Sequence, residues 1–187
     1  MLASWYIKCR MRHCIAILLF PLLLFPHCAS KSPLEKEIRA FVGQEGIIPQ
    51  DLFPVNISRG DAQKMIDSEY KLVVYLDSIA LCSACWNRSL YVWRRERTIN
   101  DSTPLLVIFN TYDIETVNRS MDIYFDKIPY FFDVDGKMKA TPGFPTYESL
   151  KTFLTRRDTV LLTGSPVYNS KLMDLYIQTI VSGGTTN

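Results

Sequence analysis

Cys82-Ser83-Ala84-Cys85 lies between two segments whose patterns predict different secondary structures. Shortly before it, residues 71–76 (KLVVYL) are apolar and β-branched, which predicts a buried strand. Directly after it, residues 86–97 carry apolar side chains at helical spacing and contain no glycine or proline. The two cysteines are therefore expected at a strand-to-helix turn.

This position gives the two sulfur atoms different expected roles. A helix N-terminus presents free backbone N–H groups and a partial positive charge, which favour a thiolate over a thiol. We expect Cys82 to be the exposed sulfur of the first turn, and Cys85 to lie one turn further, close enough to resolve a mixed disulfide. The spacing alone also fits an unreactive buried disulfide, or two unreactive thiols at a helix start.

The rest of the chain alternates strand and helix patterns. A second apolar run, at 105–110, follows the predicted helix and indicates a parallel βαβ unit. Residues 150–155 and 159–164 predict a hairpin. Further predicted elements are a helix at 113–124, a strand entering a turn at 130–137, and a last helix at 171–181 with Asn169 as its cap.

With this order of strand, cysteine pair, helix, late hairpin and terminal helix, residues 55–182 resemble the thioredoxin-like superfamily, and in particular the membrane-tethered thioredoxins of the bacterial cell envelope. The resemblance implies an α/β thioredoxin-like fold with a central mixed sheet flanked by helices. It also implies that Cys82 and Cys85 are the catalytic residues of a thiol-disulfide oxidoreductase. Its expected partners are protein thiols or disulfides of the envelope, and no cofactor is expected.

The sequence departs from the superfamily pattern at several positions. Leu81 stands where a Trp usually precedes the first cysteine, and Leu76 stands where the preceding strand usually carries a buried acid. Asp77 is one residue away, which predicts the opposite face of the sheet. A cis-proline is expected just before the hairpin, but residues 149–150 occupy that place and Pro145 lies upstream. These departures favour a second interpretation, a catalytically silent thioredoxin-like binding module.

Residues 1–30 have the pattern of a leader. A basic lead-in precedes the apolar run 14–26, which is shorter than the about 20 residues of a membrane span but suits a signal peptide. Cys28 closes this region and is followed by small and polar residues, as in a bacterial lipoprotein acceptor. Three outcomes fit the sequence: lipid attachment at Cys28, cleavage after Ser30, or an uncleaved anchor.

Cysteine and histidine usage gives no support for a bound metal or haem. Three of the five cysteines and both histidines belong to the leader. The remaining pair, Cys82 and Cys85, supplies only two of the about four ligands of a structural zinc site. Covalent haem attachment needs a histidine directly after the second cysteine, where Trp86 stands.

Length and charge set the remaining expectations. We expect a leader at 1–30, an N-terminal helical cap or linker at 31–69 that is irregular between 46 and 55, and a thioredoxin-like domain at 70–187. The formal net charge of +2 gives no reason to expect a nucleic acid partner. The expected location is the periplasmic side of the cell envelope, where a lipid or the leader would anchor the protein to the membrane.

Overall fold

The computed structural model describes residues 32–77, 90–91, 103–125, 128–167, 169 and 171–183. These residues form one mixed sheet with helices against both faces. The strands are β1 (Phe53–Val55), β2 (Tyr70–Leu76), β3 (Leu105–Phe109), β4 (Tyr130–Phe132), β5 (Thr152–Arg156) and β6 (Thr159–Thr163). The helices are α1 (Pro33–Phe41), α2 (Arg59–Ile66), α3 (Ile114–Tyr124), α4 (Lys137–Ala140) and α5 (Lys171–Val181).

The strand order in the sheet is β1-β4-β3-β2-β5-β6. Strands β2, β3 and β4 run parallel, whereas β5 runs antiparallel to β2 and forms the hairpin with β6. In the centre, Val74 lies opposite both Val107 and Thr152. The predicted α/β fold class, the mixed sheet, the parallel neighbours and the hairpin are therefore confirmed.

The central strand β2 is buried on both faces because successive side chains alternate between two apolar clusters. Leu72 and Val74 belong to a cluster that also contains side chains of α3 and α5. Val73 and Tyr75 belong to a second cluster, with side chains of α1, α2 and α4. The continuous apolar pattern of β2 thus reflects helices on both sides of the sheet.

The segment before β2 contacts the sheet at both of its edges. At one edge, the Gly43 amide donates to the Val160 carbonyl (2.8 Å), and the Val160 amide donates to the Gln44 carbonyl (2.9 Å). At the other edge, β1 pairs antiparallel with β4. The expectation of irregular structure at Phe53–Val55 is therefore wrong. A three-residue strand is too short to show alternation, and its proline is tolerated because the strand lies at an edge.

The start of the hairpin differs from the sequence prediction. The hairpin begins at Thr152 because Glu148–Leu150 forms a 3₁₀ turn. The strand predicted to enter a turn over 130–137 does so: it ends at Phe132, and the carboxylate of Asp133 then accepts the Lys137 and Met138 amides at the start of α4 (both 2.9 Å). Within the described part of the chain, no helix is long and apolar enough to cross a membrane.

Candidate functional site

The three cysteines predicted as functional, Cys28, Cys82 and Cys85, lie outside the described residues. On the N-terminal side of the cysteine pair, the description ends at Asp77, directly after β2. On the C-terminal side, residues 90 and 91 are helical, and Leu90 is buried in the cluster that contains α3 and α5. The surroundings of the site can therefore be built from the strand end and from the loops beside it.

Several loops meet at the carboxyl end of β2. Because β2, β3 and β4 are parallel, the residues that follow them, from 77, 110 and 133 onward, lie at one end of the sheet. Strand β5 is antiparallel to β2, so the loop that precedes it, residues 141–151, lies at this same end. We call this loop the 141–151 loop. In open α/β sheets, binding and catalytic groups gather at the carboxyl ends of parallel strands.

Asp77 forms a buried ion pair with the 141–151 loop. Its side chain is 5% exposed, and its Oδ1 accepts a hydrogen bond from Nζ of Lys151 (2.8 Å). Its Oδ2 lies 3.2 Å from Nζ of Lys139 on α4. Lys151, 6% exposed, also donates to Oε1 of Glu148 (2.5 Å). The cluster holds two carboxylates and two ammonium groups, so its formal charge is balanced.

The pKa values of the buried pair follow from this geometry. Burial alone raises the pKa of Asp77, but the hydrogen bonds and positive charges of Lys151 and Lys139 outweigh it, so the pKa lies below its ordinary value. Burial alone lowers the pKa of Lys151, but Asp77 and Glu148 outweigh it and raise that pKa. Both groups are therefore charged at neutral pH.

Asp77 and Leu76 lie toward different faces of the sheet. Leu76 packs against the cluster that contains α3 and α5, whereas Asp77 contacts Lys139 on α4, which belongs to the other face. The sequence did not predict either lysine partner of Asp77. The one feature of the sequence that could have indicated such a partner is Lys151, a charged residue directly before strand β5.

Helix α1 holds the other side of the 141–151 loop. Oε2 of Glu37 accepts the backbone amides of Thr146 (2.8 Å) and Tyr147 (3.4 Å), and its Oε1 accepts the Thr146 hydroxyl. Burial raises the pKa of Glu37, but these hydrogen bonds outweigh it and leave the pKa below its ordinary value. Among the described residues every peptide bond is trans, including the one before Pro145.

Aromatic contacts complete the support of this loop. The ring of Phe144 packs edge-on against Phe41 of α1 (centroids 5.6 Å apart) and against Tyr75 of β2 (4.9 Å). The Tyr75 hydroxyl donates to Oδ2 of the buried Asp133 (3.4 Å). Burial raises the pKa of Tyr75 above its ordinary value, and the charges of Asp133 and Asp77 raise it further. Tyr75 thus supports the 141–151 loop through its ring, and Asp133 holds the Tyr75 hydroxyl.

No group of three or more His, Cys, Asp or Glu residues in the described part of the chain is arranged to hold a metal ion. The acidic groups near β2 instead bind lysines, amides and a hydroxyl.

The backbone arrangement is similar to that of a thioredoxin-like protein solved in solution in its oxidised form. The similarity covers 78% of this chain and 99% of that chain, with a TM-score of 0.54 and 9% sequence identity. The chain has a thioredoxin-like fold. No protein-family model and no curated protein matches the sequence.

Two further solved structures are similar to this thioredoxin-like chain. One, from Chlorobium tepidum, carries the name of the thiol:disulfide interchange protein DsbE; it is 11% identical, with a TM-score of 0.48 over 73% of this chain and 95% of that chain. The other is the thioredoxin domain of a thiol-disulfide oxidoreductase from Bacteroides vulgatus, 16% identical, with a TM-score of 0.43 over 67% and 91%. At such identities the similarity concerns the fold.

Proposed function

We propose that the protein is an exported thiol-disulfide oxidoreductase that exchanges disulfides with envelope proteins through Cys82 and Cys85. One observation carries the proposal: in a thioredoxin-like fold, the pair stands in the connection between the parallel neighbours β2 and β3, five residues after Asp77. Chemistry in open α/β sheets is concentrated where such connections leave the strands. Two cysteines two residues apart are suited to an attacking and a resolving role.

The proposed exchange balances as follows. The Cys82 thiolate attacks one sulfur of a substrate disulfide, which forms a mixed disulfide and releases the other substrate sulfur as a thiolate. The Cys85 thiolate then attacks the Cys82 sulfur, which closes the intramolecular disulfide and releases the second substrate thiolate. Two electrons pass to the substrate, whose thiolates take up protons. The same steps in reverse oxidise a substrate dithiol and reduce the protein.

The leader supports a location for this chemistry. We propose that residues 1–30 direct export and that Cys28 carries a lipid, so that the protein works on the periplasmic side of the envelope. Helix α1 begins at Pro33, five residues after Cys28, so the tether between lipid and fold would span at most about 18 Å. The partners would then be proteins that present thiols or disulfides close to the membrane.

Partner trapping tests the proposed exchange. In cells, the Cys85→Ser variant should accumulate mixed disulfides with envelope proteins, because the resolving thiol is missing. The Cys82→Ser variant is the matched control and should trap almost none. Absence of trapped partners in both variants would contradict the proposal.

A catalytically silent binding module is the second candidate, and two observations favour it. The sequence has no proline at residues 149–150, where the superfamily pattern expects one, and with β5 beginning at Thr152 the residue directly before the strand is Lys151. In addition, Glu37 already binds the amides of Thr146 and Tyr147. Under this alternative, iodoacetamide should alkylate Cys82 and Cys85 slowly and at similar rates. Preferential alkylation of Cys82 at neutral pH would instead favour the oxidoreductase.

A further inference from the structure

Lys151 connects two parts of the chain at the carboxyl end of β2. Its carbonyl accepts the Tyr75 amide (2.9 Å), so its backbone is fixed against the strand. Its buried ammonium then reaches Oδ1 of Asp77 (2.8 Å), two residues further along. Asp77 is the last described residue before the connection that carries Cys82. Lys151 therefore holds the point from which the chain leaves the sheet toward the cysteine pair.

The loop that carries Lys151 is itself fixed from three directions. Glu37 of α1 binds the backbone of Thr146 and Tyr147, and the ring of Phe144 is packed on both sides. At its other end, the Ser149 carbonyl accepts the Ser165 amide (2.7 Å). Because the loop is held in this way, the Lys151 ammonium is a fixed point and not a mobile surface charge.

We propose that Lys151 is a positioning residue of the redox site, which holds the carboxyl end of β2 through Asp77 and thereby fixes how Cys82 is presented. The inference rests on the proposed function. Its physical reason starts from the sequence prediction that Cys82 lies in the first turn of a helix. A helix N-terminus stabilises a thiolate only over that turn, so a small displacement of the entering chain would weaken the stabilisation. A buried ion pair with good geometry is suited to fixing such a position.

One charged neighbour of the Asp77–Lys151 ion pair provides a matched control. Among the described residues, the groups that face Asp77 and Lys151 are Lys139 on α4, Glu148 in the 3₁₀ turn, Glu37 on α1, and Tyr75 with Asp133. Lys139 contacts the same carboxylate as Lys151, but it is 59% exposed and belongs to α4 instead of the 141–151 loop. Removing Lys139 therefore removes the same charge without cutting the link between the loop and β2.

The test compares Lys151→Met with Lys139→Met in the full chain. The measured quantity is the rate at which iodoacetamide alkylates the reduced Cys82. Mass mapping determines this rate at several pH values around neutrality. For Lys151→Met, we expect the rate near neutral pH to fall about threefold to tenfold, as a thiol pKa raised by up to about one unit predicts. For Lys139→Met, we expect a change below about twofold, since exposed charges are strongly screened. Equal effects of the two substitutions would refute positioning, because charge alone would explain them.

A second variant keeps the test valid if Lys151→Met fails to fold. The double substitution Asp77→Asn with Lys151→Met leaves no buried charge without a partner, and replacing both members of a pair is often nearly neutral for stability. It should show the slower Cys82 alkylation, and slower exchange with oxidised glutathione, in a folded protein. An unchanged profile in the double variant would overturn the inference.

The wild type separates this inference from the proposed function. If wild-type Cys82 does not exchange with oxidised glutathione, the proposed oxidoreductase activity is wrong, and the positioning role of Lys151 falls with it. If the wild type exchanges and the double variant exchanges equally fast, the oxidoreductase stands and the role of Lys151 is refuted.

Discussion

Lys71 is the second residue of β2, next to the apolar run of that strand, and it is buried, with 1% of its surface exposed. Within the described part of the chain, its ammonium donates one hydrogen bond, to the Ser68 carbonyl (3.1 Å), and lies 4.0 Å from the exposed carboxylate of Asp158. Its cross-strand neighbour Thr155 is also buried, and the Thr155 hydroxyl has no hydrogen-bond partner among the described residues. A buried ammonium with so little compensation is expected to destabilise the fold.

We predict that Lys71→Met stabilises the protein. Methionine has a similar length and places apolar atoms against the Val73 and Tyr75 side of the sheet, while Asp158 remains solvated. Replacing a buried ion pair by apolar side chains of similar volume is often neutral or stabilises by about 1–4 kcal/mol. Because one hydrogen bond to a carbonyl is lost, worth about 1 kcal/mol, we expect a net gain of about 1–3 kcal/mol in the free energy of unfolding. Urea unfolding at neutral pH measures it.

The pH dependence gives an independent check on Lys71. Burial lowers the pKa of Lys71 below its ordinary value, with Asp158 and Asp67 opposing this only in part. Between the folded pKa and the unfolded value of about 10.4, the unfolded chain binds more protons, so the wild type gains stability as the pH rises. Lys71→Met should lack this gain. A variant less stable than the wild type, with an unchanged pH dependence, would refute the argument.

Three further predictions concern the core, the 141–151 loop and the leader. Phe153→Ala should lower the free energy of unfolding by about 3–5 kcal/mol, measured by urea unfolding, because Phe153 is fully buried with its ring 5.0 Å from that of Phe41. Glu37→Gln should lower the free energy of unfolding by about 1 kcal/mol near neutral pH and by less in acid. Because the pKa of Glu37 is lowered in the folded state, its carboxylate stabilises the fold above about pH 4.3, and this stabilisation is lost as the pH falls through the folded pKa. The same loss of stability at every pH would contradict this. Metabolic labelling with a fatty-acid analogue should mark the wild type and not Cys28→Ala, whereas an unlabelled wild type in the envelope would favour simple cleavage.

The central strands were predictable because both faces of β2 and β3 are covered. Burial on both faces requires nearly continuous apolar sequence, and such runs stand out at 71–76 and 105–110. The same pattern does not reveal that Lys71 is buried, since the position of one lysine within a run carries no information about its partners. Strand β1 was not predictable because three residues with a central proline match no periodic pattern.

The surroundings of the cysteine pair were predictable only in part. The position of the pair after a strand follows from local sequence, whereas the link between Asp77 and Lys151 joins residues 74 positions apart. Only the antiparallel placement of β5 beside β2 brings these two residues together. The binding of Thr146 by Glu37, across 109 positions, depends in the same way on how α1 packs against the sheet.

A redox titration with thiol trapping tests the central claim most directly. The full chain is equilibrated with mixtures of reduced and oxidised glutathione, free thiols are trapped by alkylation, and the peptides of Cys82 and Cys85 are quantified by mass. We predict that both cysteines change state together, as a single two-electron couple with one midpoint potential. Two cysteines that remain reduced, or remain disulfide-bonded, across the whole range of mixtures would contradict it.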